Sequence, residues 1–280
     1  MDIRNGSQLK GRYLCSHAGA VGTQVKNFYT QNSHHQAHTQ QMKTSALVIG
    51  GSGQIAQAII EKLLTYLTAE NIVVVSRGPQ PDKFAGVIWY QSEYDETSMG
   101  NLAMQFYDQQ RNFEKVFICH GILHDESVKP EKRLEQLTAA SINHVFNINT
   151  ITPVLWLKQL LPVLKHAETC QVTIFSARVG SINDNHMGGW YSYRASKAAL
   201  NMLLKSTAIE YARRAKMVKL LAFHPGTTDS PLSRPYNTNV PDDKLFTPDF
   251  VADRLFEILK GLPADGELSF LDWQGKNIDW

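Results

Sequence analysis

The chain has 280 residues, 43% of them hydrophobic, and 28 basic against 26 acidic side chains leave a net charge of +2. That length and apolar content suffice for one large folded domain, while the scattered, nearly balanced charges give no footprint for nucleic acid or a membrane surface. Cys15, Cys119 and Cys170 form no C-x-x-C pair and leave an odd count, which points to reduced thiols in a cytoplasmic setting, and no apolar run reaches the roughly 18 residues of a membrane span.

Residues 1–41 are rich in Gln, His, Ser, Thr and Asn and show no sustained apolar period, so they are expected to be a disordered N-terminal extension. They lack the apolar stretch of a signal peptide. His17, His34, His35 and His38 have no ordered scaffold around them, and no metal site is expected. Met42 reads as a start just ahead of the first strand, opening a single domain over 42–280.

From there, apolar runs of strand length alternate with stretches of helical period. Strands are predicted at 46–50, 71–76, 86–90, 115–119, 171–176, 217–223 and 268–272, with helices at 54–67, 97–111, 132–165, 191–213 and 248–260. This is the α/β pattern of a doubly wound, Rossmann-type parallel sheet of about seven strands with helices on both faces. Pro153 should start or kink a turn inside the 132–165 segment.

The first strand runs into Gly50-Gly51-Ser52-Gly53-Gln54-Ile55-Ala56 and then into the first helix. Small residues at Gly50 and Gly53 let the backbone approach a pyrophosphate, whose charge meets the helix N-terminal amides around Ser52, Gln54 and Ile55. The spacing fits G-x-x-G-x-x-A. At the end of the second strand stand Ser76 and Arg77 rather than an acid. An acid would hold the adenosine ribose hydroxyls and repel a 2′-phosphate, whereas arginine attracts it, so NADP(H) is expected in preference to NAD(H).

Further along, Tyr193 and Lys197 are four residues apart on a predicted helix, which stacks a phenol and an ammonium on one face. A cation beside a tyrosine favours its phenolate and lowers a pKa of roughly 10, making general acid–base work accessible. Tyr107 and Arg111 share the spacing, so the flanking sequence must decide.

With the glycine turn at 50–56 and Tyr193/Lys197 downstream, residues 44–280 resemble the short-chain dehydrogenase/reductase family. The likeness is nearest its C-factor-like and carbonyl-reductase-like members, through Ser176-Ala177-Arg178-Val179-Gly180-Ser181-Ile182, the run Gly188 to Lys197 and the ending Asp272-Trp273-Gln274-Gly275-Lys276. The resemblance implies that Tyr193 gives a proton to a carbonyl oxygen as nicotinamide delivers hydride, and that Lys197 lowers the tyrosine pKa and holds the nicotinamide ribose. It places the asparagine of a water-mediated proton relay at Asn149, ahead of Asn147. His120 and Gly121 would border the adenosine side, and Pro225, Gly226, Thr228 and Ser230 the nicotinamide end.

The chain departs from the family pattern in three places. Ile118-Cys119-His120-Gly121 replaces an asparagine-rich turn, and the phosphate turn carries Gln54 and Ala56 where many members have glycine. The family's catalytic serine, three residues before Gly180, is here Ala177; Ser176 is the candidate replacement, with Ser181 as another. The resulting expectation is an NADP(H)-dependent oxidoreductase acting on a small carbonyl or alcohol. The alternative is a dinucleotide-binding signalling or regulatory protein of C-factor type. Family analogy also implies a homodimer or homotetramer, and residues 231–246 should form a substrate lid.

Overall fold

Alternate residues of each strand feed two different cores. In the first strand Leu47 and Ile49 face one side of the sheet, and Ala46 and Val48 the other. The computed structural model describes residues 44–165, 169–238 and 240–280, so the disorder expected for 1–41 lies outside the described residues.

In chain order the strands are β1 (Thr44–Ile49), β2 (Ile72–Ser76), β3 (Ile88–Gln91), β4 (Asn112–Ile118), β5 (Cys170–Phe175), β6 (Val218–His224), β7 (Thr227–Thr228), β8 (Leu245–Phe246) and β9 (Leu268–Asp272). Seven of them form one parallel sheet in the order β3-β2-β1-β4-β5-β6-β9, and β7 and β8 pair apart as a two-residue ribbon. The order reverses between β1 and β4, which leaves a crevice at their carboxyl ends.

The helices are α1 (Gln54–Leu64), α2 (Glu96–Asp108), α3 (Ala139–Phe146), α4 (Thr152–Leu164), α5 (Tyr191–Arg214) and α6 (Pro248–Lys260). Ile59, Ile60 and Leu63 of α1 share one core with Leu255 and Phe256 of α6. On the other face, Met99 and Phe106 of α2, Trp156 and Leu160 of α4, and Leu200 and Leu204 of α5 form the second core. Each such side chain removed from water contributes roughly 1.5–3 kcal/mol, which is what clamps the helices onto the sheet.

The predicted seven strands are present, but the segment expected as one helix over 132–165 is not continuous. A single 3-10 turn at Leu134–Gln136 precedes α3, and a π-turn at Asn147–Ile151 separates α3 from α4. The physical cause is Pro153, which has no N–H for the carbonyl four residues back. Thr152 compensates, donating both its backbone N–H and its hydroxyl (2.8 Å) to the Asn147 carbonyl.

Candidate active site

The phosphate turn is built on backbone freedom and close approach. Gly50 lies at φ +92°, a region favouring glycine, and the N–H groups of Gly50 and Gly51 bond the Val75 carbonyl at 2.9 and 3.3 Å. Gly51 is the most constrained position: a Cβ there would stand 2.3 Å from Val74 Cγ1 and 2.9 Å from Trp89 Cη2. Sequence reading stressed Gly50 and Gly53 and missed Gly51, because the obstructing groups come from β2 and β3. Gly53 begins α1 with no side-chain cap, which leaves the first-turn amides without an intrahelical acceptor.

At the tip of β2 the Ser76 and Ser52 hydroxyls are hydrogen-bonded at 2.5 Å, tying the second strand to the turn. Arg77 follows, exposed, with its guanidinium 6.0 Å from the centre of the Tyr94 ring. The edge of Tyr94 also meets buried His120, with ring centres 4.4 Å apart. Burial first, and then the charges of Arg77 and Lys197, push the His120 pKa down to about 3, so the ring is neutral. Its Nε2 has no hydrogen-bond partner among the described residues.

Asn149 sits fully buried in the π-turn. Its Nδ2 donates to the Ile122 carbonyl (2.9 Å) and to Ser196 Oγ (3.1 Å), while its Oδ1 accepts the Ile122 N–H (2.7 Å). Ser196 in turn donates to the Tyr193 carbonyl at 2.7 Å, and Thr150 Oγ1 donates to the Ser196 carbonyl at 2.7 Å. The side chain therefore locks the loop after β4 to α5. A π-turn is a frequent device at functional sites, and here Pro153 leaves the Asn149 carbonyl without its helical donor.

Tyr193 and Lys197 lie on the first turns of α5. Lys197 is buried and its Nζ donates to the Phe175 carbonyl at 2.8 Å, while standing 5.9 Å from the Tyr193 ring centre. A Cβ added to Gly121 would lie 3.5 Å from Lys197 Nζ and 3.7 Å from Asn149 Oδ1, so three separated segments converge on one point. Burial raises the Tyr193 pKa to about 12 and lowers that of Lys197 to about 7. Desolvation is the cause acting on both groups.

Ala177 occupies the position three residues before Gly180 and is buried. Both candidate hydroxyls nearby are hydrogen-bonded, Ser176 as a donor and Ser181 as an acceptor. Ser176 donates to Asn201 Oδ1 at 2.6 Å, and Ser181 Oγ accepts the Asp184 N–H at 3.1 Å.

The start of α5 holds two residues that the sequence did not single out. Trp190, the N-cap, has φ +51° and makes no side-chain cap. For a bulky residue that conformation costs on the order of 1–3 kcal/mol, and an absent Ser or Asp cap about 1 more. Glu131, 3% exposed, takes over the cap from 61 residues upstream: it accepts from Ser192 N (3.1 Å), from the Ser192 hydroxyl and from Ser141 Oγ (3.2 Å), while its carbonyl accepts the Trp190 N–H (2.5 Å). No local pattern announces a cap supplied from so far away.

Beyond β6, Gly226 has φ +75°, and a Cβ there would stand 2.6 Å from the Phe246 ring. Pro225 precedes it, Thr228 is buried with Oγ1 unpartnered among the described residues, and the Ser230 N–H bonds Ser233 Oγ at 3.3 Å. A cavity of about 320 Å³ lies between the first turns of α1 at Gln54 and Gln57, Asp229 and Arg234 in the segment after β7, and the start of α6 at Pro248. It adjoins the phosphate turn and none of its lining residues is at Tyr193.

The family model described as short chain dehydrogenase matches residues 44–241. This chain belongs to that family. As an oxidoreductase of the short chain dehydrogenase family, it is 32% identical over 141 residues to C-signal of Myxococcus xanthus, covering 50% of this chain and 80% of that protein. It is 26% identical to 1-hydroxy-2-glutathionyl-2-methyl-3-butene dehydrogenase of Rhodococcus sp. (strain AD45), covering 85% of this chain and all of that one. Among solved structures, NADPH-bound carbonyl reductase from chicken fatty liver superposes with a TM-score of 0.70 at 24% identity, over 84% of this chain and 98% of its own. The family's fold accounts for the seven-stranded sheet and for the placement of its crevice. Among the described residues no helix is long and apolar enough to cross a membrane, and no cluster of side chains could hold a metal ion.

Proposed function

We propose that this chain is an NADP(H)-dependent oxidoreductase interconverting a carbonyl and an alcohol, with Tyr193 as general acid and base. The observation that carries the reading is the convergence of Asn149, Lys197 and Gly121 beside the crevice that the phosphate turn opens. The residues present fit a dinucleotide: the glycine turn has no room for side chains at Gly51, α1 begins uncapped, and the buried Gln54 Oε1 and Thr228 Oγ1 lack partners among the described residues. The turn at Gly50–Gly53 with the Gln54 and Ile55 amides would hold the diphosphate, and Ser76 and Arg77 the 2′-phosphate. His120 and Gly121 would flank the adenosine side, Lys197 the nicotinamide ribose, and Pro225, Gly226, Thr228 and Ser230 the carboxamide end. Bound nicotinamide supplies or accepts the hydride.

The protein's own task is the proton. Tyr193 donates it to the carbonyl oxygen and takes it back in the reverse direction, its phenol being protonated at neutral pH. Lys197 contributes positive charge when its own proton is retained, and the Asn149 carbonyl, which has no N–H at Pro153 to accept, would order a water that refills the relay. With Ala177 in place of serine, the substrate oxygen lacks one positioned donor, a deficit of about 2.7–4 kcal/mol in comparable sites. Ser176 can help only by exchanging its bond to Asn201.

Related proteins act on small molecules, as with benzil reductase of Bacillus cereus, 22% identical over 236 residues. NADPH is bound by the chicken carbonyl reductase. Ala177 together with the likeness to C-signal favours a second reading, a dinucleotide-binding regulatory protein with little turnover. Ile151, and Met202, Leu203 and Ile209 on α5, are exposed apolar side chains available to a homodimer or homotetramer, and free Cys119 and Cys170 suit a reducing cytoplasm.

The full chain should bind NADPH in calorimetry and oxidise it with members of a carbonyl panel, while Tyr193→Phe loses at least 100-fold in kcat and keeps its NADPH affinity within threefold. Undiminished turnover in that variant would overturn the acid, and NADPH binding without any turnover selects the regulatory reading. Absence of dinucleotide binding overturns both.

A further inference from the structure

Trp190 pays twice for its place, by adopting a left-handed backbone and by leaving α5 without a side-chain cap. Neither cost serves the helix. Glu131 is recruited to repair the end, so the sequence holds tryptophan there for its ring. That ring stands edge-to-face with Tyr193, ring centres 6.2 Å apart, and with Tyr236 of the lid at 5.5 Å. Tyr236 continues to His124, in the loop after β4, at 5.6 Å, and His124 Nε2 is hydrogen-bonded with the lid carbonyl of Pro231 at 3.2 Å.

All three rings beyond Tyr193 are partly exposed rather than sealed in a core. The lid's other ring, Phe246, turns away and packs on Phe250 and Trp273 at 4.8 and 4.4 Å. The lid therefore divides its two aromatics between support and the Tyr193 side. Aromatic side chains bind planar π systems with a preference beyond apolar area alone.

Resting on the function proposed above, we infer that Trp190 is the specificity-determining residue of this site and that the substrate carbonyl carries an aryl substituent, received by Trp190 with Tyr236 while its oxygen meets Tyr193. An alkyl group of equal size would gain the burial but not the edge-to-face contacts.

The test compares acetophenone with cyclohexyl methyl ketone, which match in carbon number, using the full chain and NADPH. Acetophenone should have a kcat/KM at least tenfold higher, the ratio should fall below threefold in Trp190→Ala, and Trp190→Phe should keep most of it. Tyr236→Leu reads the same wall from the lid should the Trp190→Ala protein fail to fold. Calorimetric binding of each ketone to the protein with NADP+ gives a second ratio that needs no turnover. A ratio near one in the wild type, a ratio unmoved by both substitutions, or binding of neither ketone overturns the inference. Equal, Tyr193-dependent turnover of both ketones would do so while leaving the oxidoreductase intact. Tenfold tighter acetophenone binding without turnover would support the aryl site and overturn the chemistry instead.

Discussion

The carboxylate of Glu131 caps α5 from a separate segment, accepting the Ser192 N–H at 3.1 Å one residue before Tyr193. Burial opposes its ionisation, but hydrogen bonds from Ser192 and Ser141 outweigh that and hold its pKa below the usual carboxylate value. A depressed carboxylate contributes stability that is present above its unfolded pKa and lost as pH falls through the folded one. Glu131→Ala should cost about 1–3 kcal/mol in urea unfolding at neutral pH, by leaving buried donors unpaired. It should also lower kcat about tenfold with little change in the dinucleotide KM, because the displaced group is the acid and not the phosphate turn.

Gly51→Ala tests the close approach at the turn. The added methyl meets Val74, fully buried in β2, and Trp89, whose Nε1 is fixed to the Gly78 carbonyl at 3.1 Å. Neither can yield cheaply, so a loss of about 1–3 kcal/mol is expected from overpacking. Thermal unfolding reads the stability, and calorimetry should show NADPH affinity reduced at least tenfold.

Arg77→Ala should weaken NADPH binding by about 10- to 100-fold, the equivalent of one charge-assisted hydrogen bond, and leave NADH within threefold. Arg77 is exposed at the tip of β2, so folding stability should stay within about 0.5 kcal/mol. Parallel titrations with the two dinucleotides make the measurement, and an equal loss for both would remove the 2′-phosphate role.

His120 gives a pH signature. Its folded pKa is about 3 against an ordinary 6.5, so between those values the unfolded chain takes up a proton that the folded protein refuses. Stability contributed by the neutral ring is full above pH 6.5 and falls as pH drops, at up to about 1.4 kcal/mol per pH unit. His224, with a pKa lowered to about 4, acts in the same sense. Subtracting a His120→Asn variant isolates the first: the wild-type advantage should shrink by about 1–2 kcal/mol between pH 6.5 and 5 in urea titrations.

The sheet was legible because each strand is a short apolar run with its own boundary signals, and every predicted strand end falls within three residues of its place. Tyr193, Lys197 and Asn149 were legible because spacing and family resemblance bear on them directly. What escaped were groups whose role depends on distant partners. Glu131 touches α5 across 61 residues, and Gly51 is crowded by Val74 and Trp89. The opposing pKa shifts of Tyr193 and Lys197 escaped too, because adjacency in sequence says nothing about desolvation. Pro153 was seen as a kink, yet the extra residue it admits into the helix was not.

That extra residue sets how this part of the chain can change. The π-turn at Asn147–Ile151 holds one residue more than regular helix would, and one residue is about 100° of rotation. Removing any one of these positions would swing α3, and the face it presents to α5, through more than a quarter turn relative to α4. The stretch can therefore accept no change of length.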